Sequence, residues 1–321
     1  MRSSLVCCVA TAVALSSVTA QAADWPAKPV RVIVPYAAGG ANDLLGRVFA
    51  ERLTKAFGQQ FVVENRTGGG GLIGTEAAAR AEPDGYTLII SGMPSHVIAP
   101  AMNKNAIFDP VRDFTHIAYL GGPPNVFVVH ASHEATSFRQ LLDIMRKSPE
   151  GTQYVSPSIG SVGNMVGEYL GAREKVKLLH VTYRGGGAAI LDLVAGHVKV
   201  GSMTLSTARQ HIQEGKLRAL AVSSAQRVKD FPDLPTLTEL GYPELVVTTW
   251  YGLSGPANLP RDIVEKLNRE VNAAIRDPAV QKYLEQEMVQ TRAMSPDEFT
   301  RFMQAEVNQW VPEVKKVIGT K

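Results

Sequence analysis

The sequence predicts an α/β protein built from two lobes, and three observations lead to this prediction. The chain has 321 residues, more than a usual single domain holds. Short β-branched segments alternate with glycine-rich loops and helix-like segments in both halves of the chain. That alternation is typical of a mainly parallel sheet with helices on both faces. Two apolar, extended segments, 121–129 and 246–254, are expected to cross between the lobes.

The first half of the mature chain begins with a β-branched strand at residues 30–34 and a glycine-containing loop at 36–40. Asn42 or Asp43 is expected to cap the following helix, whose apolar residues keep helical spacing until Gly58 ends it. The alternation continues along the chain. It predicts a strand at 61–63, the loop 67–71, a helix at 75–81 and a strand at 86–90.

The second half repeats this organisation. Ser137 is expected to cap one helix, and the loop 156–161 leads from a short strand at 154–155 into another. The last helix is predicted to begin at a capping box formed by Ser295 and Glu298. Further strands are expected at 178–183, 198–203 and 217–222, and further helices at 185–194 and 263–275.

Composition narrows the class of protein. Hydrophobic residues make up 45% of the chain and charged residues 20%, which is typical of a globular protein with large cores. The formal net charge is +3, and no run of Lys and Arg interleaved with aromatics occurs. This argues against a nucleic acid as partner. No segment after the N-terminus is apolar and long enough to span a membrane, so the mature chain is predicted to be soluble.

The N-terminus has the features of a signal peptide. Arg2 precedes the apolar run 5–15, which is too short to cross a bilayer, and small residues follow up to Ala22. Residues 1–22 are therefore predicted to be cleaved during export to the periplasm, and both cysteines of the chain leave with them. A short uncleaved anchor is the alternative interpretation.

Glycine clusters recur where a predicted strand gives way to a helix. They are Gly39 with Gly40, residues 68–71, Gly160 and residues 185–187. A helix N-terminus offers unpaired N–H groups and partial positive charge, and glycine lets a ligand approach them closely. Each cluster by itself is also explained by a tight turn. Their repetition at predicted strand ends favours a shared anion-binding cleft.

Signals for catalysis, cofactors and metals are weak. Residues 69–74 match G-x-G-x-x-G, but the next strand ends without the acid that a dinucleotide site requires. Ser161 and Ser254 do not stand in G-x-S-x-G, and His130 with His133 is better explained by a solvated loop. The sequence therefore predicts no enzyme, no cofactor and no metal site. An exported hydrolase or oxidoreductase, or a ligand-sensing partner of a signalling protein, remains the alternative.

Two aromatic residues are further candidates. Trp250 and Tyr251 would stack well on a ligand, but their apolar, extended surroundings favour packing in the core.

Motifs along essentially the whole mature chain resemble one family, the extracytoplasmic receptors of tripartite tricarboxylate transporters, also called Bug receptors. The matching segments are Pro35-Tyr36 with Gly39-Gly40 and Asp43, Val63 to Arg66 with Gly68 and Gly70-Gly71, Pro83 to Leu88, Phe108 to Pro110 with Asp113-Phe114, Tyr183 to Gly187, Leu234 to Thr236, and Trp250 to Leu253 with Pro256-Ala257.

The resemblance implies a periplasmic-binding-protein-like fold of type II with ligand in the cleft between two α/β lobes. Lobe one is expected to comprise residues 23–122 and 250–321, and lobe two residues 123–249. Lobe closure would require backbone changes near Gly121, Gly122 and Gly252. The implied function is capture of a small mono- or dicarboxylate and its delivery to the membrane subunits of a transporter.

The resemblance also implies which residues surround the ligand, with main-chain groups and bridging waters holding a carboxylate. The expected ligand-binding residues are Tyr36, Gly39, Gly40, Asp43, Gly70, Gly71, Ser91, Ser95, His96, Ser156, Gly160, Ser161, Asn164, Arg184, Gly185 and Gly186. The sequence departs from the family at Asn164, where His is commoner, and at Ala37 and Ala38. These departures leave the particular carboxylate open.

Export is directly testable. The mature protein is expected to begin within a residue or two of Ala23 and to be recovered from the periplasm, because small residues up to Ala22 satisfy the cleavage rule. N-terminal sequencing of fractionated cells measures this. A cytoplasmic pool that keeps Met1 would contradict the prediction.

Overall fold

A computed structural model describes residues 25–104, 106–183 and 185–317. The predicted signal peptide and Arg184 lie outside the described residues. None of the helices within these ranges is long and apolar enough to cross a membrane.

Two five-stranded sheets organise the described residues. The first sheet contains β1 (Val30–Val34), β2 (Phe61–Asn65), β3 (Thr87–Gly92), β4 (Phe114–Gly121) and β10 (Tyr251–Pro256), in the order β2-β1-β3-β10-β4. The second contains β5 (Asn125–His130), β6 (Thr152–Val155), β7 (Leu178–Val181), β8 (Val200–Thr204) and β9 (Leu217–Val222), in the order β7-β6-β8-β5-β9.

Both sheets are mainly parallel, as the sequence predicts. In the first sheet β10 alone runs antiparallel to its neighbours β3 and β4, and in the second sheet β5 runs antiparallel to β8 and β9. These two strands are the ones that the chain enters from the other sheet. The remaining strands therefore point their carboxyl ends toward one edge of each sheet, and the predicted α/β fold class is confirmed.

Helices connect the strands. They are α1 (Ala41–Phe57), α2 (Leu72–Ala79), α3 (Ala99–Met102), α4 (Phe138–Arg146), α5 (Val162–Glu174), α6 (Gly186–Val194), α7 (Leu205–Gln213), α8 (Arg261–Ile275), α9 (Pro278–Gln286) and α10 (Pro296–Val317). Ser137 caps α4 as predicted, because its side chain accepts from the amide of Gln140. Ser295 and Glu298 form the predicted capping box, with hydrogen bonds of 2.7 and 3.3 Å.

The predicted cap of α1 is wrong. Gly40 is the N-cap residue, and no side chain caps the helix there. Asp43 instead lies in the first turn, where its carboxylate accepts from the amide of Gly39 at 2.9 Å. Asn42 caps nothing, since its amide atoms have no partner. The helix does end at Gly58 as predicted, with a left-handed φ of 68°.

The hydrophobic core extends across both sheets. The long helix α10 packs against β4 of the first sheet and against α5, which follows β6 of the second sheet. Its residue Phe299 contacts Trp250 with ring centroids 6.2 Å apart, and Trp310 and Val314 are buried in the same apolar cluster as Phe127 of β5. Trp250 is itself 1% exposed, which agrees with the core packing favoured by the sequence.

The two chain crossings lie side by side. Residues 122–124 lead from β4 to β5, and the second crossing leads into β10. The amide of Thr249 donates to the carbonyl of Pro123 at 3.0 Å. A Cβ placed on Gly122 would lie 2.1 Å from the Thr249 carbonyl oxygen. Glycine is therefore needed at 122 because the two crossings approach so closely. The two-lobe boundaries and the closing motion stay predictions.

Replacement of Gly122 tests this packing. We expect Gly122→Ala to lower the free energy of unfolding by roughly 1–3 kcal/mol, because the added methyl group overpacks a backbone contact. Urea denaturation measures the change. Gly187→Ala in α6 is the control, since a Cβ there meets no atom within 4 Å. Equal stability of the two variants would contradict the close approach.

Candidate ligand-binding cleft

A cavity of about 440 Å³ lies at the carboxyl ends of the parallel strands, between loops of the two sheets. This volume is suitable for a small molecule. The described residues that line the cavity from the first sheet are Tyr36, Gly40, Ala41, Asn42, Gly69, Gly70, Leu72, Pro94, Ala99, Met102, Asn103 and Tyr251. Those from the second sheet and the crossing are Pro157, Ser158, Ile159, Gly160, Ser161, Val162, Gly163, Gly185, Gly186, Thr204, Thr207 and Thr249.

The loop after β1 presents the N-terminus of α1 to this cavity. Gly40 is extended, with φ −79° and ψ 164°, and lacks a capping side chain. Helix N-termini leave N–H groups without intrahelical partners, and here no side chain takes them. Asn42 lies in the same turn, is 4% exposed, and has neither its amide nitrogen nor its amide oxygen hydrogen-bonded.

The loop between β2 and α2 is built from left-handed backbone. The residues at 68–71 have φ angles of 126°, 59°, 69° and 100°, which side-chain-bearing residues rarely adopt. The Tyr36 hydroxyl donates to the carbonyl of Gly70 at 3.0 Å, and this bond holds the loop. Burial raises the pKa of Tyr36, so the phenol stays neutral and keeps its proton.

Ser161 shapes the opposite side of the cleft as the N-cap of α5. Its hydroxyl accepts from the amide of Asn164 at 3.1 Å and donates to the carbonyl of Ser158 at 2.7 Å. The Asn164 side chain in turn accepts from the amide of Gly160 at 3.1 Å and donates to the Tyr154 hydroxyl at 3.1 Å. Asn164 thus fixes the loop from behind.

A second uncapped helix start completes the cleft. Gly185 precedes α6 with φ 142°, and no side chain caps the helix there. Gly186 lies next to Thr207, whose Cγ2 would be 3.5 Å from an added Cβ. The hydroxyl groups of Thr204 and Thr207 are 2.7 Å apart and hydrogen-bond each other.

The structure separates the expected binding residues into two groups. Those that line the cavity are Tyr36, Gly40, Gly70, Gly160, Ser161, Gly185 and Gly186. Those that do not are Gly39, Asp43, Gly71, Ser91, Ser95, His96, Ser156 and Asn164, and Arg184 lies outside the described residues. Their expected contacts with a ligand remain predictions.

Several residues of the second group form buried hydrogen bonds behind the cleft. Ser91 and Ser254 lie 2.8 Å apart, and Ser95 is 3.0 Å from His96 Nδ1. Burial holds the pKa of His96 well below its ordinary value, so this imidazole is neutral. On the other side, Ser156 lies 2.8 Å from His180 Nε2. These side chains support the cleft loops.

Some lining residues were missed by the sequence analysis. The sequence predicts a capping role for Asn42 and places Thr249 only within an extended crossing. Both are buried, and the Thr249 hydroxyl, like the Asn42 amide, has no partner. The sequence favours core packing for Tyr251, and this residue is both buried and part of the cavity wall. Their burial beside a cavity is a tertiary property with no local sequence signal.

The described lining of the cavity is uncharged. Among the described lining residues there is no Lys, Arg, His, Asp or Glu. Any anion held here is therefore met by helix N-termini and neutral hydrogen-bond donors on those residues.

The protein has two α/β sheets that are joined by two chain crossings, with a cleft at the carboxyl ends of the strands. This is the architecture of a solute-binding protein. Residues 45–318 match the family described as tripartite tricarboxylate transporter family receptor. The chain belongs to this family, and it is a solute-binding receptor, as the sequence predicts.

Related sequences agree with this assignment. The chain is 35% identical to the UPF0065 protein in the tcbD-tcbE intergenic region of Pseudomonas sp. (strain P51), over 94% of this chain and 90% of the relative. It is 31% identical to Protein BugT of Bordetella pertussis, over 96% of this chain and 94% of the relative.

Solved structures share the fold. Rpa4515 of R. palustris, determined with adipate, superposes with a TM-score of 0.84 at 31% identity, covering 92% of this chain and 99% of that one. The periplasmic binding protein BugD has a TM-score of 0.81 at 32% identity, with 92% and 100% covered. MatC from Rhodopseudomonas palustris with bound malate has 0.81 at 28% identity, with 90% and 100% covered.

Asp43 gives a pH-dependent prediction about the cleft's first loop. Burial by itself would raise the pKa of Asp43, but hydrogen bonds from Arg47, the Gly39 amide and Asn65 outweigh it and hold that pKa below its ordinary value. The ionised form is thus favoured by folding. Its stabilisation is present above the unfolded pKa of about 3.9 and is lost as the pH falls through the lower folded value.

We therefore expect Asp43→Asn to reduce the free energy of unfolding at pH 7 by about 1.5–3 kcal/mol, since hydrogen bonds to a charged group are lost. The deficit relative to wild type should shrink at about pH 3, where the wild-type carboxyl begins to protonate. Urea titrations at both pH values measure it, with Asp84→Asn in an exposed turn as control. A deficit that is unchanged at the acidic pH would contradict the argument.

Proposed function

We propose that the protein is exported to the periplasm, where it captures a small carboxylate and delivers it to the membrane subunits of a tripartite tricarboxylate transporter, without converting it chemically. The observation that carries the proposal is a cleft whose described lining bears no charged side chain but receives two uncapped helix starts, at Gly40 and Gly185. Relatives that hold adipate and malate support the choice of a carboxylate.

The helix starts supply the electrostatic part of capture. The first N–H groups of a helix are unpaired and carry partial positive charge, which is favourable to a carboxylate. α1 has 17 residues and α6 has 9, and both helices carry this partial positive charge at their first turn. Hydrogen bonds to an ionised acceptor are about twice as strong as those between neutral groups. A carboxylate is therefore bound without a salt bridge to the described lining residues.

Asn42 and Thr249 supply the side-chain part. An unpartnered buried amide or hydroxyl costs free energy. That cost is recovered when a carboxylate oxygen accepts from the Asn42 amide nitrogen or the Thr249 hydroxyl, both of which lack partners. Their position in the cavity wall makes a ligand the natural partner.

The proposal is tested with matched ligands. We expect purified mature protein to bind a small dicarboxylate such as adipate and to bind its neutral diamide, adipamide, at least 100-fold more weakly, because the charge that the helix starts stabilise is absent from the amide. Isothermal titration calorimetry measures both affinities. Equal affinity for acid and amide would refute a carboxylate site.

Two variants locate the site. Gly40→Val should abolish binding, because its side chain would block the approach of a ligand to the backbone at the start of α1. The protein should stay folded, because a Cβ on Gly40 meets only the Ala37 carbonyl oxygen, at 3.6 Å. Asn42→Leu should weaken binding but keep or raise the melting temperature, because it removes a buried amide without partners. Full binding by both variants would place the ligand elsewhere.

A further inference from the structure

We propose that this cleft selects carboxylates whose carbon body is unsubstituted hydrocarbon and discriminates against hydroxylated carboxylates of the same length. The inference rests on the proposed function, since it names the class of carboxylate that the same cleft takes.

One wall of the cavity is apolar. Leu72 and Ala99 are 6% and 8% exposed and belong to one hydrophobic cluster, and Met102 follows at the end of α3. The wall reaches the second sheet, because a Cβ on Gly160 would lie 3.3 Å from the Met102 sulfur. A ligand body between the helix starts therefore lies along hydrocarbon and thioether atoms.

The opposite rim carries an apolar side chain that is open to water. Ile159 lines the cavity in the loop before α5 and is 44% exposed. Covering an exposed isoleucine at the edge of an apolar wall with a hydrocarbon ligand removes apolar surface from water, which favours binding. A polyhydroxylated body offers no such gain.

Four of the hydroxyl groups that border the cavity are already engaged within the protein. Tyr36 donates to Gly70 and Ser161 donates to Ser158, while Thr204 and Thr207 bond each other. Among the buried side-chain atoms of the described lining, those without a partner belong to Asn42 and Thr249.

The carboxylate group takes the donors that Asn42 and Thr249 offer, according to the proposed function. Hydroxyl groups along the ligand body would then be removed from water against Leu72, Ala99 and Met102, whose side chains offer no hydrogen-bond donor and only the weak thioether acceptor of Met102. Burial of an unpaired hydroxyl is unfavourable, whereas burial of a methylene group is favourable. The two effects act in the same direction and so add.

Matched pairs of acids test the inference by calorimetry. Adipate and galactarate are both six-carbon dicarboxylates, and hexanoate and gluconate are both six-carbon monocarboxylates, the second of each pair being hydroxylated. We expect the hydrocarbon member to bind about 100-fold or more tightly than its hydroxylated partner in at least one pair. Equal or tighter binding of galactarate and gluconate would overturn the inference and leave the carboxylate receptor intact.

A pair of variants assigns the effect to the wall. Ile159→Gln should weaken adipate binding several-fold and reduce the adipate-to-galactarate ratio. Leu191→Gln is the control, because Leu191 is 65% exposed in α6 and does not line the cavity. An Ile159→Gln variant with an unchanged ratio would overturn the role of the wall. Failure of all four acids to bind would refute the proposed function itself.

Discussion

The close contact between the two chain crossings is the constraint on which the rest of the structure depends. Gly122 and Thr249 bring the crossings together with no room for a side chain, and a hydrogen bond from Thr249 to Pro123 joins them. The first crossing leads into β5 and the second into β10, and these are the antiparallel strands of the two sheets. The parallel strands of both sheets consequently direct their carboxyl ends toward the same space, and the cleft forms there.

The helix α10 reinforces this junction from behind. The indole nitrogen of Trp250 donates to the carboxyl group of Glu306 at 2.7 Å, which ties the second crossing to the helix. Burial raises the pKa of Glu306 to about 7, so this carboxyl keeps its proton to a higher pH than an exposed glutamate does. Around it, Phe299 and Phe302 pack their rings against Trp250 at 6.2 and 5.4 Å.

The described lining of the cleft presents uncapped helix starts and no charged side chain. Glycine loops bring the starts of α1 and α6 to the cavity, and buried neutral groups such as His96 hold the loops without adding charge. In the proposed binding mode, the helix starts meet the carboxylate and the apolar wall meets the carbon body within one cavity of about 440 Å³.

The sequence by itself determined the α/β alternation, the glycine loops before helices, and the caps at Ser137 and Ser295. Each of these depends on groups a few residues apart, so local pattern suffices to predict it. Only the tertiary structure decided that Asn42 is an unpartnered amide in the cleft, that Thr249 lies beside the cavity, and that His96 lies behind it. Burial and direction of a side chain depend on how two distant sheets pack, and no local spacing encodes that packing.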